Sequence, residues 1–170
     1  MARLSDIPQS QLRYSIGSAV AGNAAFAAGT GAGTVKTTNA ITYNINGVTY
    51  SKAATDNIAI TAGITTGPVN ATTTTYVQPL SVTVYYVFCL DSSGTVSVVQ
   101  GSYAGQVLGN GAIGDGQIPD VGSTVCPIGI LKINSSTATY TLGQALALTS
   151  GNFGTVTFFT IGGVIPVGNI

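Results

Sequence analysis

At 170 residues and 45% hydrophobic content the chain can build one domain with a core of its own, which argues against wholesale disorder. Only 6% of it is charged, where about a quarter is usual, and it contains no histidine, glutamate or tryptophan; most groups that move protons, ligate metals or grip phosphate are missing, so an enzyme is not expected. Net charge is zero, and Arg3, Arg13, Lys36, Lys52 and Lys132 cannot assemble a basic face, which speaks against phosphate-driven nucleic-acid binding and against an anionic-membrane patch.

Residues 1–40 are rich in Ala, Gly, Ser and Thr and show no sustained period of 2 or 3.6, so they read as an extended N-terminal arm. The Ala/Gly-rich stretch 17–28 superficially resembles an export signal, but Asp6 and Pro8 precede it and Gly22-Asn23 interrupts it, so no signal is expected. No window reaches the roughly 18 consecutive apolar residues that a spanning helix needs.

Scarce helix formers and abundant Thr, Val, Ile and Tyr predict an all-β body over residues 41–150. The first element is a hairpin over 41–50, in which Asn46-Gly47 supplies the two positive-φ residues of a type I′ turn. That register sets Ile45 opposite Val48 and Tyr43 opposite Tyr50, with Asn44 and Thr49 on the other face. Residues 57–61 read as a short strand showing Ile58 and Ile60 to one side.

A second hairpin is predicted over 81–90 and 95–100, closed by Asp91-Ser-Ser-Gly94 as a type I turn. Val82, Val84, Tyr86, Phe88 and Leu90 form its core face, to which Val96 and Val98 return. The opposite face is half apolar too, so the first strand of this pair reads as central and covered on both sides. Residues 101–124 hold seven glycines and read as a long loop, which lies across a partner or folds over one end of the body. A third pair is expected over 127–133 and 137–142, joined through Asn134-Ser-Ser136, with Ala138, Tyr140 and Leu142 facing in. Residues 151–170 form an apolar C-terminal tail that either adds a last strand to its own sheet or pairs with another subunit. The whole is an antiparallel β-sandwich or barrel-like body between an arm and a tail.

Catalytic motifs are weak. Gly109-Asn-Gly111-Ala-Ile-Gly114 matches a dinucleotide-binding pattern in letters, but Asp115-Gly-Gln-Ile-Pro119 follows it instead of a helix. Asp115 and Asp120 lack a calcium-loop pattern, and a serine nucleophile has no histidine to serve it. Cys89 and Cys126 read as two buried thiols, with a single disulfide as the alternative. Tyr43, Tyr50 and Tyr86 fall on core faces, whereas Tyr85 and Tyr103 are freer. Asn70 and Asn134 fit a glycosylation pattern that nothing else supports. No cofactor, metal or small-molecule substrate is expected.

The segments Ile45-Asn-Gly-Val-Thr-Tyr50, Asn57-Ile-Ala-Ile60, Tyr85-Tyr-Val-Phe-Cys-Leu-Asp-Ser-Ser-Gly-Thr-Val96 and Pro127-Ile-Gly-Ile-Leu-Lys-Ile133 resemble small tailed-bacteriophage virion proteins, in particular head decoration (cement) proteins and head-fibre components. The resemblance implies a capsid decoration protein, made in the host cytoplasm and carried on the exterior of the virion. It would stabilise contacts between major capsid subunits, with the major capsid protein and copies of itself, often as a homotrimer, as partners. It implies no catalytic residues. The large apolar side chains of the arm and tail, Leu12, Tyr14, Phe26, Phe158, Phe159 and Ile161, are the candidate interface residues. Two rivals remain: a phage fibre or receptor-binding module, and a glycan hydrolase acting through pairs among the five aspartates. On this reading, removing residues 1–40 would abolish shell binding and leave the body folded.

Overall fold

The computed structural model describes residues 18–60, 65–66, 77–101, 116, 118–141 and 154–162. These residues form an all-β, sandwich-like body. In chain order the strands are β1 (Ala19–Ala21), β2 (Phe26–Ala28), β3 (Thr34–Thr37), β4 (Ile41–Ile45), β5 (Val48–Lys52), β6 (Thr55–Ala59) and β7 (Thr65–Thr66). They continue with β8 (Val77–Gln78), β9 (Thr83–Leu90), β10 (Val96–Gln100), β11 (Cys126–Asn134), β12 (Tyr140–Thr141) and β13 (Thr155–Thr160).

A five-stranded sheet in the order β13-β11-β9-β10-β7 carries the body, antiparallel except for the β10–β7 pair. Sheets β1-β4-β5 and β2-β3-β6 pack over one of its faces, and β12 pairs with β8. All eight residues of β9 are buried. Val84, Tyr86, Phe88 and Leu90 point into the main core, which also takes Val20, Phe26, Val35, Tyr43 and Ile58 from the smaller sheets. Tyr85, Val87 and Cys89 point the other way, into a second cluster with Ile130 and Ile161 that Ile118, Val121, Val125 and Phe159 help to cover. The expected central strand with cover on both sides is therefore present.

Both predicted turns form as expected. Asn46 and Gly47 take φ of 50° and 83°, the left-handed pair that a type I′ turn demands, and Tyr43 faces Tyr50 with the rings stacked at 5.5 Å. At the β9–β10 turn the Asp91 carboxylate accepts the Ser93 and Thr95 N–H groups at 2.8 and 2.9 Å, and Gly94 closes it with φ 79°. The two turns are tied together: the Tyr43 hydroxyl donates to the Asp91 carbonyl at 2.9 Å and the Lys52 ammonium to the Gly94 carbonyl at 2.8 Å.

Strand β11 is irregular where it has to be. Pro127 has no N–H to give a ladder, and the register between β11 and β9 shifts there, leaving Ile128 as the extra residue of a bulge. Ile128 is fully buried, and the shift sets Gly129 opposite Phe88. Gly129 leaves room for the Phe26 ring: a β-carbon at that position would lie 2.4 Å from the Phe26 ring. Phe26 thus lies over Gly129, with its ring centroid 5.0 Å from that of Phe88 and 6.0 Å from that of Phe158, and its N–H donates to the Thr160 hydroxyl at 3.0 Å.

Several sequence expectations change. Residues 18–40 are not a free arm: β1 pairs with β4, β3 pairs with β6, and Val20, Ala24, Phe26 and Val35 are core residues. Small residues hid this, because short strands of Ala, Gly and Thr carry too few apolar positions to show a period. Residues 1–17 of the expected arm lie outside the described residues. The expected third hairpin is replaced: β11 pairs with β9 and β13, while β12 pairs with β8. Ser135 is buried at the bend instead of capping a tight turn; its N–H donates to the Val82 carbonyl at 3.0 Å and its carbonyl accepts the Ser81 N–H at 2.8 Å. Gln78, also buried, reinforces that joint by donating to the carbonyls of Val82 and Ile133 at 2.8 and 2.9 Å. Of the two alternatives for the tail, the structure takes the first: β13 is an edge strand of its own sheet. Most of the expected loop 101–124, and Leu142, lie outside the described residues.

Two consequences can be measured by urea unfolding. Phe26→Ala empties a site between three β-strands and is expected to destabilise by ~3–5 kcal/mol, and Gly129→Ala, which forces the ring aside, by ~1–3 kcal/mol. Removal of residues 1–40 is expected to unfold the body, since it strips β1, β2 and β3 from the core, and not merely to abolish binding.

Candidate interaction surface

The six candidate interface residues do not form one patch. Leu12 and Tyr14 lie outside the described residues. Phe26 is 5% exposed and belongs to the main core, so its place as a contact residue is corrected to a packing role. Phe158 is half-buried against that same core through the Phe26 ring. Phe159 and Ile161 lie on the opposite face of the sheet, in the second cluster, where Ile161 is buried. Strand alternation separates them: neighbours 158 and 159 must point to opposite faces.

Asp56, Asp91, Asp120, Lys52 and Lys132 serve local architecture. The Asp56 carboxylate accepts the Thr30 hydroxyl and, at 3.0 Å, the Thr30 N–H, while Asn57, at φ 55°, accepts the Gly31 N–H at 2.7 Å. These bonds hold the exposed turn between β2 and β3 against β6. The Thr30 hydroxyl, and then the Thr30 and Asn57 N–H groups, lower the Asp56 pKa below its ordinary 3.8. The Ser93 hydroxyl first, and the N–H groups of the β9–β10 turn after it, do the same for Asp91. Asp120 accepts the Gly122 N–H at 2.9 Å, and the Lys132 ammonium sits 5.5 Å above the centre of the Tyr85 ring. Tyr85, expected to be the freer tyrosine, is buried beneath that lysine.

Cys89 and Cys126 are free thiols, both buried. Cross-strand pairing sets Cys126 beside Leu90 and Cys89 beside Pro127, so the two side chains fall on opposite faces of the sheet, one in each apolar cluster. Burial pushes each thiol up to about 12, which keeps both protonated and unreactive near neutral pH. Among the described residues no cluster of Cys and Asp side chains could hold a metal ion, and no helix is long and apolar enough to cross a membrane.

What the described surface offers a partner is mostly uncharged, with Asp56 and Asp120 as its exposed carboxylates. Its large exposed apolar side chains are Val48 at the β4–β5 turn and Leu80 near the opposite end of the body. Around them the exposed positions are mainly Thr, Ser, Asn, Ala and Gly. Such a surface docks through shape, backbone groups and neutral hydrogen bonds, with few ions to strip of water. Composition alone signalled this property; the separation of Phe158 from Phe159 needed only the alternation rule, whereas the burial of Phe26 had no local signal at all. No protein-family model matches the chain, and neither curated proteins nor solved structures show significant similarity to it.

The lowered carboxyl pKa values fix a sign. Asp56 and Asp91 stabilise the folded state fully above their ordinary value of 3.8, and that contribution is lost as pH falls through their lower folded-state values. The melting temperature is expected to hold from neutral pH to about pH 5 and to fall below about pH 4, with a shallower fall in Asp91→Asn. In a separate measurement at pH 8, a thiol reagent is expected to leave both cysteines untouched in the native protein and to modify both in urea.

Proposed function

We propose that this chain is a capsid decoration protein, which binds the outside of a tailed-phage head and stabilises contacts between major capsid subunits. The observation that carries the reading is the use to which charge is put. The three described aspartates hold turns, Lys52 bonds a turn carbonyl and Lys132 covers a ring, while the exposed positions are mainly uncharged Thr, Ser, Asn, Ala and Gly.

A clamp on a pressurised shell needs contact area and a body that does not deform; it needs no chemistry. An interface of about 1,600 Å² is ordinary for a stable protein contact, and apolar burial contributes about 25 cal/mol per Å². Neutral polar groups suit the rest of such a contact, because each ion buried without a partner would cost several kcal/mol. The doubly covered central sheet supplies the stiffness. The resemblance of the hairpin and central-strand segments to head decoration and head-fibre proteins points the same way.

The test is copy number. The chain is co-produced with the major capsid protein of its own genome, and assembled particles are purified and quantified by mass spectrometry. Hundreds of copies per particle are expected. A handful per particle overturns decoration in favour of a fibre or receptor-binding module, and complete absence from particles overturns both.

A further inference from the structure

We propose that β13 is the contact through which two copies of this chain pair, edge to edge and antiparallel, so that their central sheets run on into one another. The inference does not rest on the decoration reading.

Strand β13 joins its own sheet through one side. Its six residues pair with Gly129–Asn134 of β11 without a break in register, and among the described residues no strand lies along the other side. The outward N–H and C=O groups of such an edge are a template for a further strand, and folded chains normally blunt it with charge, proline, a bulge or extreme shortness. The other described edges follow that rule. Strands β7, β8 and β12 have two residues each, and β1 and β2 have three. Beyond its pair with β7, β10 is left open only at Val96, Ser97 and Val98. Strand β5 ends on Lys52, and β6 carries Asp56 and the left-handed Asn57. Thr155-Val-Thr-Phe-Phe-Thr160 has none of these defences: it is regular and contains no charge, proline or glycine.

Its side chains are also left unfinished on both faces. Thr155 and Thr160 are exposed and the four residues between them half-buried, whereas β9, two strands further in, is wholly buried. Val156 and Phe158 lean on the main core and Phe159 on the second cluster. A ligand on one face would cover one set; a strand added to the edge completes both.

A second β13 supplies the complement. In two-fold antiparallel pairing each residue meets one that points to the same face. Centred on Phe158, the contact sets Phe158 against its counterpart and Thr157 against Phe159. Centred on Thr157, it sets Val156 against Phe158 and Thr155 against Phe159. Either register joins aromatic and β-branched side chains, the pairs that stabilise a sheet most, and brings no charge against a like charge. The contact is self-complementary, so it closes at a dimer and does not propagate.

The full chain is followed by sedimentation equilibrium over a concentration series, with circular dichroism as the check of fold. A monomer–dimer equilibrium is expected. Thr157→Asp sets a carboxylate across from Lys132 within the monomer, which suits the fold, and two carboxylates near the two-fold axis in the dimer, which does not. It is expected to raise the dissociation constant of the dimer about tenfold or more. Thr157→Cys places a thiol at the contact, while Cys89 and Cys126 stay buried. A short bis-maleimide is expected to join this variant into a covalent dimer and to leave Val48→Cys, exposed on another sheet, as a monomer. A chain that is monomeric at every concentration overturns the proposal and assigns the cover of β13 to its own chain. A trimer, a dimer that folded Thr157→Asp leaves unchanged, or cross-linking of Thr157→Cys no greater than that of Val48→Cys puts the contact elsewhere and overturns it too.

Discussion

Strand β9 is buried from end to end, and a strand buried on both faces obliges everything around it. One face requires a full apolar layer, supplied by two three-stranded sheets drawn from residues 19–59. The other requires a second layer, supplied in part by Ile118, Val121, Val125 and the end of β13. The tightest joint in the first layer is the Phe26 ring, seated over Gly129 between Phe88 and Phe158. It couples the N-terminal strands, the bulged β11 and the last strand at one point. The bulge at Pro127 makes this joint, since the shifted register is what sets a glycine opposite Phe88. A larger residue there would compete with the ring for the same space.

Polar groups inside this frame are placed where apolar packing cannot finish the work. Gln78 and Ser135 satisfy the carbonyls of Val82 and Ile133 where the chain leaves β11, so the bend is buried without stranding its backbone. Tyr43 and Lys52 carry one sheet's hairpin onto the turn of another. The carboxylates act in the same local way, as acceptors for turn N–H groups. Because their bonds are made by the ionised form, the same contacts that shape the turns make the fold sensitive to acid, whereas the buried thiols of Cys89 and Cys126 cost it stability only above their ordinary value of 9.0.

The proposed role follows from how little is left over. Three described lysines against three described aspartates leave little net charge for a steering field, and thiols pushed up to about 12 are not nucleophiles at neutral pH. A neutral, Thr- and Ser-rich exterior on a stiff core is suited to repeated, shape-matched contact with another protein surface.

By itself the sequence determined the β class, the two hairpin turns, their registers and the double burial of the central strand. Those features are written in local chemistry: Asn-Gly for a type I′ turn, Asp and Gly at the ends of a type I turn, and an apolar residue at every second position. It also determined that charge would be scarce wherever the chain folded. Only the tertiary structure decided which strands pair, because alternation names a strand's faces and is silent about its neighbours. Hence β12 joins β8, and not β11 as the intervening Asn-Ser-Ser had suggested. Only the tertiary structure turned residues 18–40 into β1, β2 and β3, since Ala, Gly and Thr have little hydrophobic signal until a sheet is present to receive them. Phe26 shows the difference most plainly. In the sequence it is a lone aromatic in a small-residue stretch, and its partner is the missing side chain of Gly129, a hundred residues away, which no local pattern records.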